Sequence, residues 1–158
     1  MKKLVYLAFA LLLGTSVWAG PIQEKNKAVA RRVLDEILTQ GKFAVANELY
    51  APDFVNHGLK TSIGLKEDQT AARRWRDGFP DLKMTVEFMV AEDDLVTVLW
   101  TASGTNTGSW NGLPPTGKGG ELRGITIWRI VDGKIREEWS AFDRLRIMQE
   151  LGLIPESK

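Results

Sequence analysis

One stretch near the C-terminus, Ile125–Gly152 with the sequence ITIWRIVDGKIREEWSAFDRLRIMQELG, constrains this chain more than any other. Asp132-Gly133 joins two runs rich in β-branched and aromatic residues, and the pair suits a type I′ turn, in which both central residues need φ > 0. The sequence therefore predicts strands over Ile125–Val131 and Lys134–Phe142, then a helix over Arg144–Leu151. Alternation along the second strand predicts Ile135, Trp139, Ala141 and Asp143 on one mostly apolar face. A carboxyl at the end of such a face loses hydration, which raises its pKa toward the range of a general acid/base. The same residue also stands where a side chain caps a following helix. Both readings of Asp143 are open at this point.

Upstream, the pattern is helical first and alternating later. Asn26 is placed to cap a helix whose apolar positions Val29, Val33, Ile37 and Leu38 end near Gly41. A shorter helical piece, Phe43–Tyr50, stops before Pro52, and Asp53–His57 reads as a short strand followed by a loop over Gly58–Gly64. Leu65–Gly78 is predicted helical, ended by Phe79-Pro80-Asp81. From Leu82 the period becomes two: Leu82, Met84, Val86, Phe88 and Val90 share one face. Glu92-Asp93-Asp94 turns into an apolar strand over Leu95–Thr105, and the loop Asn106–Gly120 precedes the hairpin. Helices followed by an antiparallel meander define an α+β domain, with the sheet folding around one or more helices. Such a sheet encloses a concave, apolar-lined interior suited to a small molecule.

The N-terminus is set apart. Lys2 and Lys3 precede an apolar run, Leu4–Leu13, too short to span a bilayer comfortably, and Val17-Trp18-Ala19 ends on the small residue of a signal-peptidase site. The expectation is a signal peptide over residues 1–19, cleavage before Gly20, export to the periplasm or medium, and a single domain over residues 20–158. No later segment is apolar enough for stable membrane insertion. Without the two leader lysines the charges number 19 basic and 20 acidic, which leaves no electrostatic case for nucleic acid. With no cysteine and one histidine, the chain has neither bridges nor the ligands of a dedicated zinc site, so no metal is expected.

Two motifs mislead. Gly112–Gly119 fits the spacing of a phosphate loop, but Gly119 stands where Ser or Thr would hold magnesium, two prolines remove backbone donors, and a strand follows. In Arg73-Arg74-Trp75-Arg76 the arginines diverge around a helix, giving a solvated face with one buried tryptophan. His57, beside Asn56, can titrate near neutral pH as a proton carrier, or be satisfied by a nearby backbone group. Trp75, Trp100, Trp110, Trp128 and Trp139 are many indoles for so small a domain; they fit a core, or a pocket for a flat apolar ligand. Trp128 and Trp139, on the paired strands, stand nearest the suspected site. The ligand-contact set expected is Asn56, Trp75, Trp100, Trp128 and Trp139. No G-x-S-x-G elbow occurs, which disfavours covalent acyl chemistry.

The ordered motifs Gly104-Thr-Asn-Thr-Gly108, Gly112-Leu-Pro-Pro-Thr-Gly117, Gly124-Ile-Thr-Ile-Trp-Arg129, Asp132-Gly-Lys-Ile135, Glu138-Trp139, Asp143 and Gln149-Glu-Leu-Gly152 resemble the SnoaL-like polyketide cyclase, or ester cyclase, family. The resemblance runs through Asn26–Gly152. It implies a nuclear transport factor 2-like, cystatin-like cone: a strongly curved antiparallel sheet wrapped around N-terminal helices, self-associating as a homodimer through its outer face. It implies cofactor-independent cyclase, isomerase or lyase-like chemistry, in which an aspartate acts as acid/base on a hydrophobic small molecule. By position that aspartate maps onto Asp143. This chain departs from the family in carrying no histidine on the strand Ile125–Arg129 and in having Asn106 where many members have histidine. His57 is then the one histidine that could assist Asp143. The rival expectation is a non-catalytic, secreted small-molecule-binding protein of the same fold.

Overall fold

The computed structural model describes residues 20–58 and 60–155; the expected leader, residues 1–19, lies outside the described residues. Helix α1 (Pro21–Arg32) continues without a break into a π-helical segment, Val33–Thr39. It starts earlier than the capping reading of Asn26 suggested, because Pro21 occupies the first helical turn, where its missing N–H has no partner to lose. Asn26 is instead buried inside the helix, and its amide donates to the Ile130 carbonyl at 3.2 Å, tying the helix to the sheet. A 3₁₀ turn, Phe43–Val45, leads into the single turn α2 (Ala46–Leu49). Then follow β1 (Tyr50–His57), β2 (Ser62–Gly64) and α3 (Leu65–Gly78). The meander is β3 (Lys83–Glu92), β4 (Leu95–Thr105), β5 (Gly119–Val131) and β6 (Lys134–Phe142), closed by α4 (Arg144–Glu150).

These strands form one curved open sheet in the order β2-β1-β6-β5-β4-β3, with the helices on its concave side. All neighbours are antiparallel except β1 and β6, which run parallel, so the sheet is mixed rather than purely antiparallel. The apolar stripe Ala30, Val33, Leu34 and Ile37 packs with Val96, Val98, Trp128 and Ile130 in the core. The β5–β6 turn has φ of 53° at Asp132 and 74° at Gly133, as the hairpin motif requires.

Two register shifts decide which side chains enter the cone. In β3, Val86 faces Trp100 while Phe88 already faces Leu99, so Glu87 is the extra residue of a bulge. Phe88 and Val90 are thereby turned outward, each 57 % exposed, and Met89 and Ala91 pack against the core in their place. In β6, Ile135 faces Ile130 but Glu137 faces Arg129, leaving Arg136 as the extra residue. Because strand alternation has a period of two, one inserted residue exchanges the faces of everything beyond it. Ile135 points inward, and past the bulge it is Glu138, Ser140 and Phe142 that line the interior, whereas Trp139 and Ala141 fall on the other face. The expectation that Ile135, Trp139, Ala141 and Asp143 share one face is corrected by this bulge.

Candidate functional site

A cavity of about 270 Å³ lies between the concave sheet and the helices. Its walls are largely apolar: Val33, Leu34, Ile37 and Leu38 from the first helical arm, Ala72 and Trp75 from α3, Met84, Trp100, Leu122, Trp128 and Phe142 from the sheet. Against this background stands one polar wall, made by Asn56, Asp68, Gln69, Thr126, Glu138 and Ser140.

Glu138 is the centre of that wall. Its Oε2 accepts the Trp128 indole N–H at 2.8 Å; its Oε1 accepts from Ser140 Oγ at 2.8 Å and from the Asn56 amide at 3.2 Å. The Asn56 amide also donates to Asp68 Oδ1 at 2.8 Å, so a single NH₂ group bridges two carboxyls. Gln69 Nε2 donates to the other Asp68 oxygen at 3.3 Å. Behind Ser140, Thr126 Oγ1 lies 2.9 Å away and accepts the Trp100 indole N–H at 3.0 Å. With Trp100 donating into Thr126 and Ser140 donating into Glu138, Thr126 donates to Ser140, and every donor in the chain points toward the Glu138 carboxylate. Gly124 allows this arrangement: a Cβ there would strike Cζ2 and Cη2 of the Trp100 ring.

Burial pushes the Glu138 carboxyl up to about 7, reinforced by the neighbouring Asp68 charge and opposed by the Trp128 and Ser140 donors. Asp68 is raised for the same first reason, with its Asn56 and Gln69 hydrogen bonds pulling the other way. Burial also raises the Tyr50 phenol, with help from both carboxyls. Two like charges sharing one apolar pocket do not both ionise readily, so the pair holds a proton near neutral pH.

Of the residues expected at the site, Asn56, Trp75, Trp100 and Trp128 line the cavity, and His57, Trp139 and Asp143 do not. The His57 ring stacks on Trp139, with centroids 4.7 Å apart and planes 10° from parallel. Its Nε2 lies 2.8 Å from Glu137, which also binds Arg129 at 2.8 Å. This cluster sits on the outer face, where the bulge at Arg136 puts Glu137 and Trp139. Asp143 is exposed and accepts the Arg146 backbone N–H at 3.0 Å, the geometry of a helix cap. It lies past the end of β6, so its carboxylate does not enter the hollow. Asp68 and Glu138, which do, were not singled out from sequence. Asp68 shared its helix face with Leu65, Ala72 and Trp75, and an acid on an apolar stripe was the legible sign. Glu138 offered none, because its inward direction depends on the bulge.

A cone-shaped sheet over N-terminal helices, enclosing a cavity with a titratable wall, is the architecture of the nuclear transport factor 2-like superfamily. Known structures agree. A candidate SnoaL-like polyketide cyclase from Jannaschia sp. CCS1 is similar with a TM-score of 0.78 and 26 % identity, over 86 % of this chain and 97 % of that one. IdmH, a candidate polyketide cyclase from Streptomyces antibioticus, is similar with a TM-score of 0.72 and 26 % identity, over 80 % and 98 %. AclR, a candidate hydroxylase from Streptomyces galilaeus, gives 0.79 and 23 % over 86 % of each chain, a likeness of fold alone. No curated protein matches the chain. Residues 28–151 match the SnoaL-like polyketide cyclase family, and the chain belongs to that family.

Proposed function

We propose that this protein is a cyclase- or isomerase-type acid/base catalyst in which Glu138, rather than Asp143, moves the proton. The observation that carries the reading is a carboxyl with a pKa raised to about 7, walled by indoles and held by three donors. A base is most effective when its pKa lies near the working pH. Ionised Glu138 removes a proton from carbon α to a carbonyl of an apolar substrate, breaking the C–H bond. The resulting enolate either attacks a second carbonyl of the same molecule, forming the new C–C bond of an aldol-type ring closure as the first C=O re-forms, or is reprotonated elsewhere as in an isomerase. Protonated Glu138 returns its proton to the oxygen or carbon so formed. A positioned base contributes about 10²–10⁴-fold, and folding one substrate onto itself adds the gain of a well-oriented intramolecular reaction.

The test needs no natural substrate. Tetralone, a fused-ring ketone, exchanges its α-hydrogens in D₂O, and NMR follows the loss of the C–H signal. The wild-type protein is expected to accelerate exchange, and Glu138→Gln to remove about 10²-fold or more of that acceleration while tetralone affinity persists. Exchange equally fast in the variant defeats the assignment. Binding without exchange by the wild type would identify the non-catalytic carrier instead.

We further propose a homodimer, supported by Phe88, Val90 and Ile125 standing 57 %, 57 % and 45 % exposed on the outer sheet face. Export is the corresponding proposal for the leader, supported by its Lys2-Lys3 and Leu4–Leu13 pattern. An exported form beginning at Gly20, read by mass spectrometry, is the expected product.

A further inference from the structure

We propose that the cavity selects an apolar ligand carrying a positive charge, a protonated amine held against Glu138 and Asp68 and ringed by aromatic faces. This rests on the reading of the cavity as the ligand site, and is independent of whether proton transfer at carbon follows.

The titratable side chains lining the cavity are Glu138 from β6, Asp68 from α3 and Tyr50 from β1, and no Lys, Arg or His among the described residues joins them. The nearby cations are engaged elsewhere. Arg129 binds Asp94 and Glu137 on the outer face, Arg136 binds Asp53, and Arg76 donates to the Thr39 and Leu82 carbonyls. The two carboxyls therefore have amide, indole and hydroxyl donors but no counter-charge. Ionising them in a desolvated pocket without one is unfavourable, and a ligand ammonium supplies what the protein leaves out.

The surrounding walls suit the same ligand. Trp75, Trp100, Trp128 and Phe142 border the cavity, and indole faces attract a cation through the ring quadrupole. Beside Asp68, Gln69 Oε1 is a buried acceptor with no partner, the one such side-chain atom among the described residues. Carboxylate or phosphate ligands meet the opposite situation: two acids in a largely apolar hollow and no donor of positive charge among the described residues that line it.

Isothermal titration calorimetry near neutral pH with three probes of one shape separates the outcomes: naphthylmethylamine (cationic), naphthylmethanol (neutral) and naphthoate (anionic). The amine is expected to bind about tenfold more tightly than the alcohol and about 100-fold more tightly than the carboxylate, the size of one or two charge contacts in a desolvated site. Glu138→Gln and Asp68→Asn are each expected to shrink the amine-over-alcohol ratio to about threefold or less while alcohol affinity holds. An alcohol that matches the amine in the wild type overturns this inference and leaves the cavity reading standing, as does a preference that survives both substitutions. Failure of all three probes to bind overturns both.

Discussion

Trp128 donates its indole N–H to Glu138 Oε2 at 2.8 Å, and the two residues face each other across β5 and β6. The contact joins an aromatic wall to an acid whose other oxygen is held by Ser140 and Asn56. Trp128 points inward by the regular alternation of β5, whereas Glu138 reaches the interior only because β6 carries its bulge at Arg136. Position, ionisation and ligand class at this site thus all depend on one backbone irregularity.

The contribution of Glu138 to stability should depend on pH in a direction opposite to ordinary acid denaturation. Glu138 moves from 4.5 to about 7 on folding, so between those values the folded protein holds a proton that the unfolded chain has released. Its stabilising contribution is complete below about pH 4.5, falls as pH rises, and is lost above about pH 7. The full swing is on the order of 3 kcal/mol. Urea unfolding at pH 5 and pH 8 should show the wild type losing more stability than Glu138→Gln over that interval; parallel curves would refute the assignment.

Gly124→Ala should loosen the polar wall from a distance. The added methyl meets the Trp100 ring, whose N–H begins the donor chain through Thr126 and Ser140. Overpacking of this kind costs about 1–3 kcal/mol, read as a lower denaturation midpoint. The accompanying shift in tryptophan fluorescence should be absent from a Gly119→Ala control, where a Cβ meets nothing.

The outer cluster and the helix cap should be dispensable for chemistry. Asp143→Ala removes the acceptor for Arg146 N–H and should cost about 1 kcal/mol in unfolding experiments. His57→Ala strips a partner from Glu137 on the outer face. Both variants should keep tetralone exchange at the wild-type rate; loss of exchange in either would return the site to the position that strand alternation had suggested.

Association should depend on the outer face. Ile125→Lys and Phe88→Lys each place a charge on exposed apolar surface, so light scattering should report a dimer for the wild type and monomers for the variants. Unchanged circular dichroism would show that the fold itself survives. A monomeric wild type contradicts the proposed dimer.

The architecture was legible in sequence to the extent that it rested on local chemistry. Helix α3 occupies the predicted Leu65–Gly78, and the Asp132-Gly133 turn forms as its residues demand. Trp75, Trp100 and Trp128 also line the cavity as expected. What failed was direction after a bulge. Glu87 and Arg136 are ordinary residues, and nothing in their identity announces an extra position in the ladder. Yet each exchanges the faces of the residues beyond it, sending Phe88 and Trp139 outward and Glu138 inward. The parallel β1–β6 pairing, which brings Asn56 beside Glu138, was hidden for a different reason: it joins residues 82 apart in the chain.

Carbon-13 NMR of the protein labelled at its glutamate side-chain carboxyls tests the central claim most directly. One resonance, identified by its disappearance in Glu138→Gln, should titrate with a midpoint near 7. A midpoint near the ordinary 4.5 would mean that this carboxylate is solvated and that the acid/base account of the cavity is wrong.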